Sequence, residues 1–524
     1  MYSILKQGVF PCLCLCIFKA QSFCSSPKQA PFHMSDDSAA VLALTALSPI
    51  DGRYRSALTE LVPIFSEFAL QRYRVKVEVE YFIALAAART DGSINSSPSS
   101  SLPFAVPALA ALVNEYGAAS MAEKLRELYQ NFSTSSSLAI KRIEEKTRHD
   151  VKAVEMWLRD QFDQLGLPAA SKEFIHFGLT SQDVNNTSIP LSLQEATNSV
   201  LLPKITTMIL QPLHRLATEW WDIPMLARTH GQPATPTRLG KEIGVFVERL
   251  VSQLRAIKQI PFSAKFGGAT GGFNAHVVAF PGVDWVAFGN NFVNSSLQLS
   301  RSQLTTQIEH YDNLAALLDA YKRVNTILID LCRDIWTYIA MEMFGLKTKA
   351  GEVGSSAMPH KVNPIDFENA EGNLGVANAL FEFLSSKLPI SRQQRDLTDS
   401  TVLRNLGVAF GHSLQSYVSI SRGLDKLQLR KETLERDLHD NWVVVAEAIQ
   451  TVLRNAGVDD AYTLIKEATR TGAALRQPEM EAVIRQLNVD DALKQRLLGI
   501  TPFSYAPQLP ALPAINLAEF GVLH

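Results

Sequence analysis

The chain has little cysteine, and what it has is unevenly placed. Of its five cysteines, four are Cys12, Cys14, Cys16 and Cys24, and only Cys332 follows in the rest of the 524 residues. Disulfide frameworks distribute paired cysteines throughout a small secreted fold. We therefore expect no structural disulfides and a reducing compartment.

A large net charge of either sign is also missing. The 50 Lys and Arg residues are nearly balanced by 52 Asp and Glu residues. A protein that binds nucleic acid or an anionic membrane surface through its overall field carries an excess of positive charge. We therefore expect no nucleic-acid partner and no membrane partner, and any anion site must be local.

The N-terminal segment has no acidic residue and only a short apolar run. The run from Val9 to Phe18 is shorter than the roughly 20 residues that a bilayer-spanning helix needs. Residues 1–34 contain no Asp or Glu, which fits either a targeting segment or an extension upstream of a start at Met34. We expect a cytosolic protein, with a plastid or mitochondrion as the alternative if residues 1–34 are a transit peptide.

Alternation of apolar and polar residues between turn formers, the pattern of β-strands, is scarce. Helical spacing is abundant instead. No Gly or Pro occurs from Asp312 to Phe344, where apolar residues recur at positions such as Leu317, Tyr321 and Leu328. The same spacing occurs over residues 192–220, 239–260, 367–384 and 408–427. These stretches predict an all-α fold with a central bundle of long helices.

Motifs for metals and nucleotide phosphates are missing as well. The segment HDVKAVE that begins at His149 does not match HExxH, and the cysteines lie away from the histidines. The glycine-rich segment KFGGATGGFNAH (265–276) has Phe273 where a P-loop needs lysine, and it does not contain G-x-G-x-x-G. We expect no metal and no cofactor. A tight turn, where the backbone approaches a ligand or another chain, remains open for this segment.

The chain does have a distinctive polar segment, GSSAMPHKVNP (354–364). Its two prolines indicate a loop, and the adjacent hydroxyl groups of Ser355 and Ser356 precede a lysine. Met358 stands where the G-x-S-x-G elbow of a serine hydrolase needs glycine. The two serines therefore do not fit the nucleophile of a serine hydrolase, and their role must be a different one.

A second polar segment, SRQQRDLTDSTVLRN (391–405), groups the guanidinium groups of Arg392, Arg395 and Arg404 with the hydroxyl groups of Ser400 and Thr401. A planar guanidinium group can bind two oxygens of a phosphate or carboxylate at once, so this composition suits an oxygen-rich dianion. The alternative is a solvated helix face, on which neighbouring aspartates pair with the arginines.

His230 lies in a third polar segment, RTHGQPATP (228–236), between an arginine and two prolines. A histidine titrates near neutral pH and can therefore give a proton to a departing group. The alternative is a histidine that only bonds a backbone carbonyl group.

In this order, the polar segments resemble those of the fumarase/aspartase superfamily. GSSAMPHKVNP is similar to the signature loop of the superfamily. Six segments, one of which overlaps this loop, resemble the long, bacterial-like branch of its adenylosuccinate lyase family: SPIDGRY, RHDVKAVE, FIHFGLTSQDVNN, RTHGQPATP, MPHKVNPIDFENAEGN and RQQRDLTDSTVLRNLG. The resemblance begins at about Leu44 and is weaker after about Leu429.

The resemblance implies a homotetramer of three-domain subunits, with a long-helix bundle at its centre and active sites shared between subunits. We divide the chain into an N-terminal extension (1–34), an N-terminal helical domain (35–178), a central bundle domain with the signature loop (179–410) and a C-terminal helical domain (411–524). The implied activity is β-elimination of fumarate from adenylosuccinate, giving AMP, and from SAICAR, giving AICAR, in purine biosynthesis. The partners are thus small nucleotides.

The resemblance also implies roles for individual residues. Ser355 matches the general base and His230 the general acid, and Lys361 is the candidate that stabilises a serine alkoxide. The remaining matches are positions that bind the substrate: Arg53, Tyr54, His149, Asp150, His176, Thr180, Ser181, Gln307, Asn363, Asn369, Arg395, Ser400, Thr401 and Arg404.

Two alternatives stay open. One is another lyase of the superfamily, such as an argininosuccinate lyase or an aspartase; the arginine cluster at 392–404 argues against it, since those substrates carry no phosphate. The other is a non-catalytic, crystallin-like protein on the same scaffold. The presence of Ser355, His230 and Lys361 argues against that one.

Overall fold

The structure is a computed structural model that describes residues 38–89, 91–94, 118–348, 351, 357–358, 360–470 and 475–522. Helices dominate this part of the chain and the strands in it are short, so the predicted all-α fold is confirmed. The catalytic candidate Ser355, its neighbour Ser356 and the extension 1–34 lie outside the described residues.

The N-terminal region is organised around helix α3, which is buried on two sides. Tyr73 and Tyr81 on one side contact the middle of the chain, whereas Val75 and Phe82 on the other pack against the next helices. The elements are α1 (Ser38–Thr45), α2 (Val62–Phe65), α3 (Glu67–Ala86), α4 (Ala118–Gln130), α5 (Thr134–Thr147) and α6 (Asp150–Gln164), with 3₁₀ turns at Arg55–Ala57, Thr59–Leu61 and Ala169–Phe174.

A long helical rod follows, and it is not a uniform α-helix. It consists of α7 (Ser181–Glu195), a π-helical stretch (Ala196–Leu201), α8 (Leu202–Ile205), a second π-helical stretch (Thr206–Leu210) and α9 (Gln211–Glu219). Pro203 follows the first π-helical stretch and Pro212 the second. Proline has no amide hydrogen to continue the α-helical ladder, and a local change of hydrogen-bond register accommodates it. The helical spacing predicted for 192–220 is confirmed in this interrupted form.

A β-hairpin joins this rod to the bundle. Strands β1 (Pro224–Thr229) and β2 (Gln232–Arg238) pair antiparallel, with Thr229 opposite Gln232. His230 and Gly231 form the two-residue turn, both with positive φ, 53° and 75°. Positive φ at both central positions is typical of a type I′ turn, and it places the candidate acid His230 at the tip of the hairpin.

The central bundle holds the largest core. Apolar residues of α13, including Leu317, Tyr321, Val324 and Leu328, are fully or almost fully buried against α10, α14 and α16. The elements are α10 (Leu239–Gln259), β3 (Ser263–Ala264), α11 (Asn274–Ala279), α12 (Trp285–Asn290), a π-helical stretch (Asn291–Ser296), β4 (Ser300–Arg301), α13 (Asp312–Ala340), β5 (Phe344–Leu346), α14 (Ile365–Lys387), α15 (Thr398–Leu403) and α16 (Leu406–Lys426).

The helical spacing that ran to Phe344 overstates the length of α13, which ends at Ala340. Glu342 adopts a left-handed φ of 60°, which an α-helix cannot continue through. Phe344 then packs its ring against Trp220 at a centroid distance of 5.5 Å. Beyond Ala340 the chain is therefore no longer helical, and Phe344 is buried in a short strand.

The C-terminal region has a core of its own around Trp442, Ile449 and Leu497. The division at 178/179 and 410/411 stays a prediction, and one continuous helix, α16, crosses the second boundary. The elements are β6 (Leu427–Leu429), α17 (Lys431–Asp440), a 3₁₀ turn (Trp442–Val445), α18 (Ala446–Asn455), α19 (Ala461–Thr469), α20 (Gln477–Gln486), α21 (Asp491–Leu498) and a 3₁₀ turn (Leu517–Phe520).

Candidate active site

The N-terminus of α7 is the point on which several predicted site residues converge. Thr180 is its N-cap residue, and Asp183, in the first turn, completes a capping box. The backbone N–H of Thr180 donates to Asp183 Oδ2 at 2.8 Å. A helix N-terminus carries a partial positive charge, so Thr180 and Ser181 lie where a substrate carboxylate or phosphate would be favoured.

Asp183 also holds the glycine-rich segment against this helix end. Its Oδ1 accepts hydrogen bonds from the N–H groups of Gly267 at 2.8 Å and Gly268 at 3.1 Å. Lys265 Nζ lies 2.8 Å from the same oxygen, and both side chains of this ion pair are fully buried. Burial lowers the pKa of Lys265, against the opposing effect of Asp183. The backbone of this tight turn thus approaches a carboxylate of its own chain.

The segment 391–405 meets α7 through Arg395. Its Nη2 donates to Ser400 Oγ at 2.7 Å and to Asp399 Oδ1 at 3.3 Å. The buried carboxamide of Gln182 faces the same guanidinium group and, with its oxygen turned toward it, accepts from Nη2 at 2.5 Å. Tyr311 Oη donates to the other oxygen of Asp399 at 3.0 Å. Within the segment, Arg395 therefore has an aspartate and a serine hydroxyl group as partners, although it precedes α15 and its side chain is only 17% exposed. Binding of a dianion by this segment stays a prediction.

The segment TRHD (147–150) brings a histidine and a carboxylate to the same place. His149 is the N-cap residue of α6; its Nδ1 accepts from the N–H of Lys152 at 3.1 Å, so in the neutral ring Nε2 carries the proton. That Nε2 lies 3.4 Å from Ser181 Oγ. Asp150 Oδ2 lies 2.7 Å from Arg74 Nη2 and 3.8 Å from Arg404 Nη2.

The pKa of Asp150 gives a testable dependence of stability on pH. Burial of Asp150 raises its pKa, but the adjacent Arg74 outweighs this effect and holds the pKa below its usual value. A carboxyl group with a depressed pKa stabilises the fold above its unfolded-state pKa of about 3.9, and this contribution is lost as the pH falls through the folded-state value.

We expect Asp150→Asn to destabilise the protein by about 2 kcal/mol near neutral pH, because it leaves the buried Arg74 guanidinium without its charged partner. The difference from wild type should shrink as the pH falls below about 4. Unfolding midpoints measured across this range test the expectation, with Asp163→Asn, an exposed aspartate of the same helix, as the control. A difference that stays constant down to acid pH would contradict it.

Tyr54 and Asn369 connect the segment DGRY (51–54) to the start of the bundle helix α14. Tyr54 Oη accepts from Asn369 Nδ2 at 3.2 Å and from Asn373 Nδ2 at 3.4 Å. The hydrogen bond from Asn373, with that from Asn369, lowers the pKa of Tyr54. The neighbouring Arg53 is exposed. The phenol is thereby fixed, and the arginine beside it is accessible.

Gln307 links two of the other segments. Its N–H donates to the carbonyl oxygen of Gln394 at 3.3 Å, and its Nε2 donates to that of Ala269 at 3.2 Å. It therefore bridges the glycine-rich turn and the arginine segment. Ser400 is half-buried within that segment, and Thr401 is exposed.

His176 is half-buried at the base of this cluster and pairs with a carboxylate. Its Nδ1 lies 2.5 Å from Glu78 Oε1 on α3. Burial alone would lower the pKa of His176, but the Glu78 carboxylate outweighs that effect, and the pKa is raised above its ordinary value.

Two further predicted residues lie apart from these contacts. The side chains of His230 and Lys361 are exposed, and neither makes a hydrogen bond or ion pair with the described part of the chain. The hairpin that carries His230 is anchored to α17 by Arg228, whose Nη1 and Nη2 donate to Asp437 at 2.7 and 2.6 Å. Asn363 is half-buried just before α14. The joint action of His230, Lys361 and Ser355 stays a prediction.

Three residues that we did not predict belong to the cluster: Arg74, Gln182 and Asp183. Asp183 had a sequence signal, because T-S-Q-D fits the capping-box pattern. Arg74 had none, since its partner Asp150 is 76 residues away along the chain.

The described ranges contain no group of three or more His, Cys, Asp or Glu side chains that could hold a metal ion. No helix within those ranges is long and apolar enough to cross a membrane.

Comparisons with known proteins show the family of the chain. Residues 52–378 match the family model of lyases, and residues 391–506 match that of the adenylosuccinate lyase C-terminal region. The chain is 53% identical to an adenylosuccinate lyase of Dictyostelium discoideum over 472 residues, which covers 89% of this chain and 97% of that protein. It is 46% identical to an adenylosuccinate lyase of Escherichia coli over 463 residues, with 88% and 96% covered.

Solved structures share the fold at much lower identity. A fumarate lyase from Mesorhizobium sp. BNC1 matches with a TM-score of 0.63 and 17% identity, over 86% of this chain and 95% of that chain. A β-carboxy-cis,cis-muconate cycloisomerase from Acinetobacter calcoaceticus matches with a TM-score of 0.60 and 17% identity, over 87% and 96%. At this identity the likeness concerns the fold alone.

Proposed function

Because the chain belongs to the adenylosuccinate lyase family of the fumarase/aspartase superfamily, it is a carbon–nitrogen lyase, and we propose that it acts on two nucleotides. Adenylosuccinate would be cleaved to AMP and fumarate, and SAICAR to AICAR and fumarate. Both reactions belong to purine biosynthesis. The observation that carries the proposal is the group of arginine, histidine and hydroxyl side chains at the N-terminus of α7.

This group has the chemistry to bind a nucleotide that also carries two carboxylates. Arg395 and Arg404 supply two guanidinium groups, and His149 Nε2 lies 3.4 Å from Ser181 Oγ. Charged donors and a helix N-terminus together favour multiply charged anions. The phosphate would bind to Arg53, Tyr54, Arg395, Ser400, Thr401 and Arg404, and the carboxylates to Thr180, Ser181, Lys361 and Asn363; His149, Asp150, His176, Gln307 and Asn369 would line the rest of the site.

The elimination itself needs a base and an acid. Ser355 as the alkoxide would remove the proton from the carbon next to a succinyl carboxylate, and that electron pair would form the double bond of fumarate. The carbon–nitrogen bond breaks in turn, and His230 would give its proton to the departing nitrogen. The charge of Lys361 would lower the energy of the serine alkoxide.

We also propose that the chain forms a homotetramer with shared sites. The bundle presents an apolar face on α13 and α14, where Trp336, Val376 and Phe383 are 46%, 47% and 51% exposed. Apart from its chain neighbours and the adjacent backbone of the helix, a Cβ atom added at Gly372 or Gly375 of α14 would meet no atom of the described residues within 4 Å. Small and apolar residues on a helix of the central bundle suit contact with helices of other copies of this chain.

Fumarate release from both nucleotides tests the function. We expect turnover of each substrate by the wild-type protein, and Arg404→Gln should raise KM about tenfold, because a charge-assisted contact to the phosphate is lost. Arg485→Gln, an exposed arginine on α20, is the matched control and should leave KM unchanged. A chain that releases fumarate only from argininosuccinate or aspartate, or from no substrate, would overturn the proposal.

A further inference from the structure

Beneath the candidate site lies a buried carboxylate that the elimination does not itself need. Glu78 is in the middle of α3, and its side chain is 0% exposed. Its Oε1 lies 2.5 Å from His176 Nδ1, whereas its Oε2 is buried and has no hydrogen-bond partner among the described residues. A buried carboxylate is costly unless a charged or donating group compensates it. His176 is the group that does so.

The neighbouring acidic residues do not share this dependence on His176. The carboxylates of Glu155 on α6 and Asp183 on α7 also raise the pKa of His176. Glu155 is paired with Lys152 at 2.8 Å, and Asp183 with Lys265 at 2.8 Å. Within the described residues, Glu78 has no cationic partner other than His176, so its charge acts on that ring without a competing cation.

The backbone at His176 is itself held in place. His176 has a left-handed φ of 58°, and two residues later Gly178 has a φ of 66°. A Cβ atom at Gly178 would lie 2.6 Å from the ring of His276, so only glycine fits there. Tyr81 Oη donates to the carbonyl oxygen of Phe177 at 2.7 Å. The backbone that follows His176 is therefore fixed, and the orientation of the ring is left to its contact with Glu78.

This orientation leaves one ring nitrogen for another partner. Nδ1 is engaged by Glu78, while Nε2 has no hydrogen bond to the described part of the chain and the side chain is 17% exposed. The chain then runs from His176 directly to Thr180 and Ser181. An imidazolium held by a carboxylate at Nδ1 presents its Nε2–H as a charged donor.

We propose that Glu78 is a positioning residue for the elimination: it orients His176 and keeps it cationic, so that Nε2–H binds an anionic group of the substrate. This rests on the proposed function, which supplies the anionic substrate. The raised pKa of His176 has the same cause, and the ring therefore stays charged to a higher pH than an ordinary histidine. We therefore expect the affinity for the substrate to fall as the ring loses its proton.

The test compares KM and kcat for fumarate release between about pH 6 and pH 9 in wild type, Glu78→Gln, His176→Gln and the double variant. In wild type, KM should rise with pH as His176 loses its proton. In Glu78→Gln the rise should begin at lower pH, so that KM is about tenfold higher at pH values between the two transitions, while kcat changes less and the two KM values converge at higher pH. The double variant should bind no worse than His176→Gln, because Glu78 acts through His176.

Glu80→Gln is the matched control. Glu80 is a buried glutamate on the same helix, but its oxygens bond Arg126 and Tyr129, so this variant reports general loss of packing without a change near His176. A Glu78→Gln profile that parallels wild type at every pH, or losses that multiply in the double variant, would overturn the proposal. If Glu78→Gln fails to fold, a wild-type pH dependence that persists in His176→Gln overturns it equally. Absence of fumarate release by wild type is a separate outcome, which refutes the proposed function instead.

Discussion

Ser355→Ala is expected to lower kcat by about a thousandfold or more, with KM nearly unchanged. The proton on the carbon next to a carboxylate is only weakly acidic, so its removal needs a base at one fixed place. Alanine removes that base and leaves every charged side chain of the proposed binding group intact. Ser355 itself lies outside the described residues, and its role follows from its position in GSSAMPHKVNP.

Steady-state fumarate release, together with binding of adenylosuccinate to the inactive variant, measures the two halves of this expectation. Ser356→Ala is the control: it removes the adjacent hydroxyl group and should cost much less. If Ser355→Ala kept more than about a tenth of the wild-type rate, the loss would be under roughly 1.4 kcal/mol, and Ser355 would not be the base.

Mixing two inactive variants should restore activity. His230→Ala and Ser355→Ala each lack one of the two proposed catalytic residues, so each tetramer alone is inactive. If each site takes the two residues from different chains, about a quarter of the sites in a random equimolar mixture have both, assuming independent choices. The exposed position of His230 at the tip of the hairpin, where its side chain makes no hydrogen bond or ion pair with the described part of its own chain, supports this arrangement.

The variants would be unfolded, mixed and refolded, and each would be refolded alone for comparison. Light scattering checks the oligomeric state before fumarate release is followed. Recovery near a quarter of the wild-type rate is the expected result. Tetramers that refold but stay inactive would show that His230 and Ser355 act from the same chain, and a fully active monomer would exclude shared sites altogether.

The helices could be predicted from the sequence because their cause is local. Apolar spacing over 312–340 matches the helical period, and those residues are indeed buried in the bundle. The end of that helix could not be predicted, because an apolar residue such as Phe344 can be buried equally well in a helix or in a strand. Its partner, the ring of Trp220, is more than a hundred residues away in sequence.

Within the site, the same distinction separates short-range from long-range contacts. The capping box between Thr180 and Asp183 is readable because three residues separate the partners, a spacing that the helix itself imposes. The sequence by itself thus determined the helical fold, the polar segments and, through their resemblance, the family. The pairing of Arg74 with Asp150, 76 residues apart, and of Asp183 with Gly267, 84 residues apart, was decided only by the tertiary structure. A charged residue on a helix is compatible with many distant partners, and only the burial of particular helix faces selects one of them.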